Sequence, residues 1–166
     1  MQIYTTQVTL RPATDDDLPF LERLYGTVRA PELAPLPWTQ AQKDEFVRHQ
    51  FNAQHTWWHE QYEDTTYDVV LVNGVPAGRL YVGRWQSTIR VVDIALLPEH
   101  RGGGLGTRLM NDVLAEGDAA GKPVSIHVER YNPAMRLYER LGFVEVEDKG
   151  VYVLMERPVG GKPARA

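Results

Sequence analysis

The residues best suited to chemistry lie just past the middle of the chain. Arg101-Gly102-Gly103-Gly104-Leu105-Gly106-Thr107 follows the apolar run Val91-Val92-Asp93-Ile94-Ala95-Leu96-Leu97 by way of Pro98-Glu99-His100, and it opens a segment of helical periodicity. Residues without a Cβ let the chain curl until several amide N–H groups converge, and a helix beginning there adds about half a positive charge at its N-terminus. Strand, glycine turn and helix in that order make a cradle for phosphate oxygens. Two versions of such a cradle do not fit. A nucleoside triphosphate loop needs Lys and then Ser or Thr after its last glycine, but Gly106 is followed by Thr107-Arg108. A dinucleotide fingerprint places Gly-x-Gly-x-x-Gly directly at the strand end, whereas Pro98 to Arg101 intervene here and the last gap is one residue short. What remains is Arg101-x-x-Gly104-x-Gly106 as a phosphate-binding turn, against the plainer reading of a glycine-rich surface turn that holds nothing.

The surrounding sequence supplies the elements that must position this turn. Val8 to Pro12 alternates as a strand, and Asp15-Asp16-Asp17 offers acids to the start of a helix with Leu18, Leu21, Leu24 and Tyr25 on one face. Three prolines between Ala30 and Trp38 read as a surface loop. A second helix is expected from Thr39 to Gln54 with Phe46, Val47 and Phe51 inward, followed by the aromatic cluster Trp57, Trp58, His59 and Tyr62. The period then becomes extended: Val69 to Val72, an Asn73-Gly74 hairpin turn, Ala77 to Gly83, and Ile89 to Leu97 as a central strand covered on both faces. Leu105 to Gly117 is an amphipathic helix, Val124 to Glu129 a strand, Asn132 to Leu141 a short helix, and Phe143 to Glu147 and Val151 to Glu156 two further strands. Pro158 to Ala166, rich in Gly, Pro and Ala, reads as a disordered tail. This order predicts an α/β fold, one domain over residues 1–157 built on a single mixed sheet with helices on both faces.

Composition removes several chemistries. The chain has 166 residues, 43% of them hydrophobic, and no cysteine, which excludes a disulfide framework, a thiolate metal centre and a cysteine nucleophile. There are two serines, Ser87 and Ser125, and no Gly-x-Ser-x-Gly elbow. His55 and His59 stand four apart without a third ligand or a His-Glu-x-x-His pattern, so no metal is expected. A net charge of −4 argues against a nucleic-acid coat protein, and the absence of a leader-like start or a long apolar run argues for a soluble cytoplasmic protein that does not engage membranes. The charge is uneven: residues 1–75 hold 11 acids against 5 Lys or Arg, and residues 76–166 hold 11 against 13. A polyanionic ligand belongs with the second part.

Arg101-x-x-Gly104-x-Gly106, its lead-in Leu97-Pro98-Glu99-His100, the later Asn132-Pro133-Ala134-Met135-Arg136-Leu137-Tyr138-Glu139-Arg140-Leu141-Gly142-Phe143 and the opening Thr9-Leu10-Arg11-Pro12-Ala13 together resemble the GNAT superfamily of acyl-CoA-dependent N-acyltransferases over residues 8–157. The resemblance implies a mostly antiparallel central sheet and a protein that transfers acetyl from acetyl-CoA, its acyl-donor cosubstrate, to a primary amine of a small molecule or peptide by direct attack. It implies that the backbone of Gly102, Gly103, Gly104, Leu105, Gly106 and Thr107 holds the CoA diphosphate with Arg101 at its edge. Ile94, Ala95 and Leu96 would pair with the pantetheine arm like an added strand, and an N–H near Leu96 would polarise the thioester carbonyl. Asn132 and Tyr138 join the donor-binding residues.

Read physically, Asn132 caps a helix and Tyr138 lies on its apolar stripe as a core tyrosine; the resemblance instead places the Tyr138 hydroxyl beside the sulfur, to protonate the departing thiolate. A phenol, protonated at neutral pH, suits that role. Many members of the superfamily carry Glu five residues before the helix-opening Asn, where this chain has His127. Histidine can take a proton near neutrality, and strand alternation puts Glu129 on its face to orient the ring. Asp93 is the rival base, and structural roles for both stay open. The acceptor region implied is Ala30 to Tyr62, with Trp57, Trp58 and the acids Glu32, Asp44, Glu45 and Glu60. A non-catalytic acyl-CoA-binding module on the same fold is the alternative function, and a homodimer is among the assemblies left open.

Overall fold

A computed structural model describes residues 6–161. Seven strands, β1 (Val8–Pro12), β2 (Thr65–Val72), β3 (Val75–Arg84), β4 (Ile89–Leu96), β5 (Val124–Glu129), β6 (Val144–Lys149) and β7 (Tyr152–Arg157), form one open mixed sheet in the order β1-β2-β3-β4-β5-β7-β6. The flanking helices are α1 (Leu18–Leu33), α2 (Gln40–Gln61), α3 (Leu105–Ala120) and α4 (Met135–Arg140). The mixed sheet with flanking helices is the architecture that the sequence predicts. Among the described residues no helix is long and apolar enough to cross a membrane. Two compact units make up the chain: one runs to Tyr81 and includes Asp93–Arg101, and the other takes Val82–Val92 and continues from Gly102.

In the first unit, β1 and β2 pair antiparallel from Val8 opposite Val72 to Pro12 opposite Asp68. Asn73 (φ +50°) and Gly74 (φ +81°) both take the left-handed conformation, which a two-residue hairpin requires and this dipeptide tolerates. Ahead of α1, Asp15–Asp17 form a 3-10 turn, and the Asp17 carboxylate accepts both Arg11 Nη1 (2.7 Å) and Nη2 (2.8 Å) as well as the Thr14 N–H (2.8 Å). The Arg11 guanidinium holds the Asp17 pKa down at about 2. Phe20, Leu21, Leu24, Tyr25 and Leu33 of α1 pack with Val47 and Phe51 of α2, Val69 of β2 and Leu97 into one apolar core.

Two expectations are corrected here. The first helix does not stop at the prolines: Pro31 lies inside α1, which continues until the Ala34 N–H closes onto the Ala30 carbonyl (2.9 Å). Proline costs an N–H and crowds the carbonyl one turn back, and with Pro31 this near the helix end the burial of Leu33, 7% exposed, holds the last turn in place. The second helix runs seven residues beyond Gln54, to Gln61, so Trp57, Trp58 and His59 are helical. Its N-terminus is where expected, with the Thr39 hydroxyl accepting the Gln42 N–H (3.2 Å) and Gln42 Oε1 accepting the Thr39 N–H (2.9 Å).

In the second unit, β5 pairs antiparallel with β7 from Val124 opposite Arg157 to Glu129 opposite Tyr152, and β7 pairs antiparallel with β6. The parallel register of β4 on β5 spans three pairs, Ile89–Val91 against Val124–Ile126. One face of these strands carries buried Ile89, Val91, Val124, Ile126, Val128, Val153 and Met155. The α3 side chains Leu109, Met110, Val113 and Leu114 are buried as well. Gly117 lets α3 lie close to β5, because a Cβ there would stand 2.8 Å from Val124 Cγ2 and 2.9 Å from the Lys122 carbonyl. The opposite face, by strand alternation, presents Arg90, Ser125, His127 and Glu129. Val159–Gly161, expected in a disordered tail, instead makes a short turn in which the Gly160 N–H donates to Asp118 Oδ1 (2.8 Å). Residues 162–166 of that tail lie outside the described residues, as does the start of the segment read for a leader.

Candidate functional site

The glycine turn belongs to the second unit and is open. Gly102, Gly103 and Gly104 are exposed, and a Cβ on any of them would meet nothing within 4 Å. Gly102 (φ +78°) and Gly104 (φ +85°) adopt the left-handed conformation that glycine alone accepts without strain. Gly104 caps α3, and the Arg108 N–H donates to its carbonyl (3.0 Å). The amides of Leu105, Gly106 and Thr107 therefore precede the helix's own hydrogen-bond ladder and face outward from its positive end. Space at the Cβ positions and a row of amides at a helix start fit a diphosphate.

Asn132 acts as a cap, though α4 begins later than expected. Its Oδ1 accepts the Ala134 N–H (2.8 Å), and the helix itself starts at Met135 because Asn132 to Ala134 form a turn ahead of it. Tyr138 is 6% exposed, with its ring edge-on to Phe143 at 5.9 Å between centroids. The phenol is thus set by the same stripe that packs α4.

His127 has a partner that the sequence does not suggest. Arg90 Nη1 lies 3.2 Å from His127 Nδ1, and Arg90 Nε donates to Ser125 Oγ (2.8 Å), which is in turn 2.8 Å from Thr88 Oγ1. An arginine has only donors, so His127 Nδ1 accepts and the ring proton sits on Nε2, which is buried without a hydrogen-bond partner. Burial, then Arg90 and Lys149, push the imidazole pKa below its ordinary value against an opposing pull from Glu147. Orientation of the ring comes from Arg90; Glu129 shares the face but makes no hydrogen bond to either ring nitrogen.

Asp93 lies in the first unit and is held by an arginine too. Arg79 Nε donates to Asp93 Oδ2 at 2.6 Å, with side-chain exposures of 4% and 27%. The Arg79 guanidinium carbon stands 5.1 Å from the Tyr81 ring centre, 5.4 Å from Trp58 and 6.0 Å from Tyr25. Of the two tryptophans, Trp58 packs here while Trp57 is 51% exposed. Sequence reasoning missed both arginines. The available signal was a charge in the middle of an otherwise apolar strand: Arg79 in Val75–Gly83 and Arg90 beside Ile89 and Val91.

Arg101, expected at the edge of the diphosphate, has its guanidinium turned to the chain: Nε donates to the Leu96 carbonyl (2.8 Å) and Nη2 to Thr27 Oγ1 (3.1 Å). It braces the end of β4, where Ile94, Ala95 and Leu96 remain partly exposed rather than covered on both faces. Gly78 of β3 permits a close approach to that end, since a Cβ there would fall 2.3 Å from the Ala95 carbonyl. His59 stacks on Tyr67 at 3.8 Å between centroids and its Nδ1 donates to the His55 carbonyl (2.8 Å). Among the described residues no cluster of three or more His, Asp or Glu is arranged to hold a metal. Glu32, Asp44 and Glu45 are exposed and contact neighbours on their own helices: Arg29, Gln40 and His49.

Comparison with known proteins bears on the family and the fold. Residues 30–143 match the family model described as acetyltransferase (GNAT) family. No curated protein sequence matches. Among solved structures, the PaiA N-acetyltransferase of Thermoplasma acidophilum in complex with coenzyme A superposes with a TM-score of 0.69 at 15% identity, over 90% of this chain and 98% of that one. The ribosomal-protein-S18-alanine N-acetyltransferase of Escherichia coli gives 0.63 at 21% identity over 92% and 94%. The spermidine N-acetyltransferase of Vibrio cholerae, in complex with CoA and spermine, gives 0.60 at 21% over 90% and 93%. At these identities the likeness is one of fold.

Proposed function

The chain belongs to the acetyltransferase (GNAT) family, and from that premise we propose that it transfers an acetyl group from acetyl-CoA to a primary amine of a small molecule or peptide, as one transferase domain over residues 1–157. The observation that carries the reading is the open turn at Gly102–Gly104, whose left-handed glycines and outward amides suit a diphosphate. Acetyl-CoA supplies the activated acyl carbon and a thiol leaving group.

The chain's own residues do the rest. Amides from Gly102 to Thr107 bind the phosphates, and Arg101, tied to Leu96 and Thr27, keeps the end of β4 in place so that Ile94 to Leu96 offer backbone to the amide-bearing arm. Tyr138 holds a phenolic proton, which passes to the thiolate sulfur. Asp93 takes the proton that the amine sheds. It is preferred to His127 because the one lone pair of the neutral imidazole is already committed to Arg90. Positioning two reactants is worth on the order of 7–11 kcal/mol, so no covalent acyl-enzyme is needed in a chain without cysteine.

Engagement of both base candidates by arginines favours one second reading, a binding module that retains acyl-CoA without transfer. Calorimetry with acetyl-CoA and thiol release over a panel of amines and N-terminal peptides decide between them. Turnover on any amine supports the transferase; tight binding with no turnover on the whole panel supports the module; no binding at all removes both.

A further inference from the structure

Arg79 is 3% exposed in the middle of β3. A guanidinium at that depth is costly unless its charge and donors are answered. They are answered by Asp93 Oδ2 at 2.6 Å, by Gln54 Oε1 at 3.5 Å, and by the faces of Tyr81, Trp58 and Tyr25 within 6.0 Å. The pair is lopsided in two respects. The arginine is sealed, whereas the Asp93 side chain keeps 27% of its surface open. The contact also uses one oxygen. Arg11 on Asp17 (2.7 and 2.8 Å) and Arg84 on Glu116 (2.7 and 3.0 Å) take both oxygens, whereas Arg157 meets Asp118 at Oδ1, an oxygen that also accepts the Gly160 N–H. At Asp93 no described residue makes a hydrogen bond to Oδ1.

We infer that Arg79 is a positioning residue, which clamps Asp93 through Oδ2 inside an aromatic box and leaves Oδ1 to take the proton from the acceptor amine. In that step one N–H bond of the acceptor nitrogen breaks and an O–H bond forms at Oδ1, the electron pair staying on nitrogen for attack. The inference rests on the transferase reading above.

The test is chemical rescue. Arg79→Ala leaves a flat cavity between Tyr81, Trp58 and Tyr25 of guanidinium shape. It is expected to lower kcat about tenfold or more, the scale of a lost proton-transfer geometry, while CoA affinity stays within about twofold. Millimolar guanidinium, but not urea, should restore part of kcat in Arg79→Ala and none in Arg79→Ala/Asp93→Asn. A purely structural arginine would lower CoA affinity and kcat together, and guanidinium would act alike in both backgrounds; either result overturns the inference. If Arg79→Ala does not fold, Arg79→Lys is measured, where a severalfold loss of kcat at unchanged CoA affinity supports the clamp and wild-type kcat overturns it. Absence of turnover by the wild-type protein on every amine removes the transferase reading and the inference with it, whereas wild-type turnover with an unaffected Arg79→Ala overturns the inference alone.

Discussion

Arg90 Nη1 stands 3.2 Å from His127 Nδ1, and that contact settles the protonation of the imidazole. The nitrogen that would receive a proton already accepts one hydrogen bond from a cation, while the other carries its proton into a buried position without a partner. Charging the ring would require breaking the contact and setting two positive groups side by side.

The pH dependence of stability follows from this. Burial and Arg90 lower the His127 pKa, and burial and His59 lower that of His55. Below the ordinary histidine pKa of about 6.5 the unfolded chain binds protons that the folded chain refuses, so these groups stabilise fully above that pH and lose their contribution as pH falls toward the folded values. Melting temperature should fall as pH drops from about 7 to 5, and His127→Gln should flatten part of that slope. An equal slope in the variant would show that His127 is not excluded from protonation in the fold.

The Arg79–Asp93 pair predicts unequal single variants. Asp93→Ala leaves a sealed cation without its counter-charge and should cost about 3–5 kcal/mol in urea unfolding, the range for a broken buried pair. Arg79→Met leaves a carboxylate that reaches water and fills the space between three rings with an apolar side chain, so its cost should be smaller. The reverse order would mean that the box, not the charge, carries the stability.

At the glycine turn two neighbouring substitutions separate strain from ligand binding. Gly103→Ala meets open space at an ordinary φ and should leave stability within about 0.5 kcal/mol. Gly104→Val forces a branched residue to φ +85° and should cost about 1–2 kcal/mol, with CoA affinity falling by about tenfold or more. Calorimetry is decisive, since unchanged affinity in Gly104→Val removes the diphosphate from this turn.

Tyr138→Phe keeps the ring that packs on Phe143 and deletes only the hydroxyl. Melting temperature and CoA affinity should stay near those of the parent protein, while kcat falls about tenfold or more, as expected for a lost general acid. Wild-type turnover would return Tyr138 to a packing role.

Gly78→Ala tests how β4 is placed. The new Cβ would meet the Ala95 carbonyl at 2.3 Å and the Leu96 Cα at 3.1 Å, both backbone atoms that cannot rotate away. A loss of about 1–3 kcal/mol is expected from overpacking, together with weaker CoA binding as Ala95 and Leu96 shift. Parent-like values of both would show that β4 has room to move at this point.

The sequence by itself determined what depends on neighbours along the chain. The Asn73-Gly74 hairpin, the β5 bounds, the apolar stripe of α3 and the glycine turn at its start all follow from spacing and local conformational preference. The family features Arg101-x-x-Gly104-x-Gly106 and Asn132 to Phe143 are legible for the same reason. Helix ends were less so. Whether α1 passes Pro31 and α2 reaches Gln61 depends on what Leu33 and Trp58 bury against, which no local pattern states. The pairings around the two candidate bases are further from view still. Arg79 meets Asp93 across 14 residues and Arg90 meets His127 across 37, each through neighbouring strands of the sheet. Only the register of those strands puts donor and acceptor within hydrogen-bond distance. Tertiary structure therefore chose which of two candidate bases keeps an open oxygen and which has its lone pair taken.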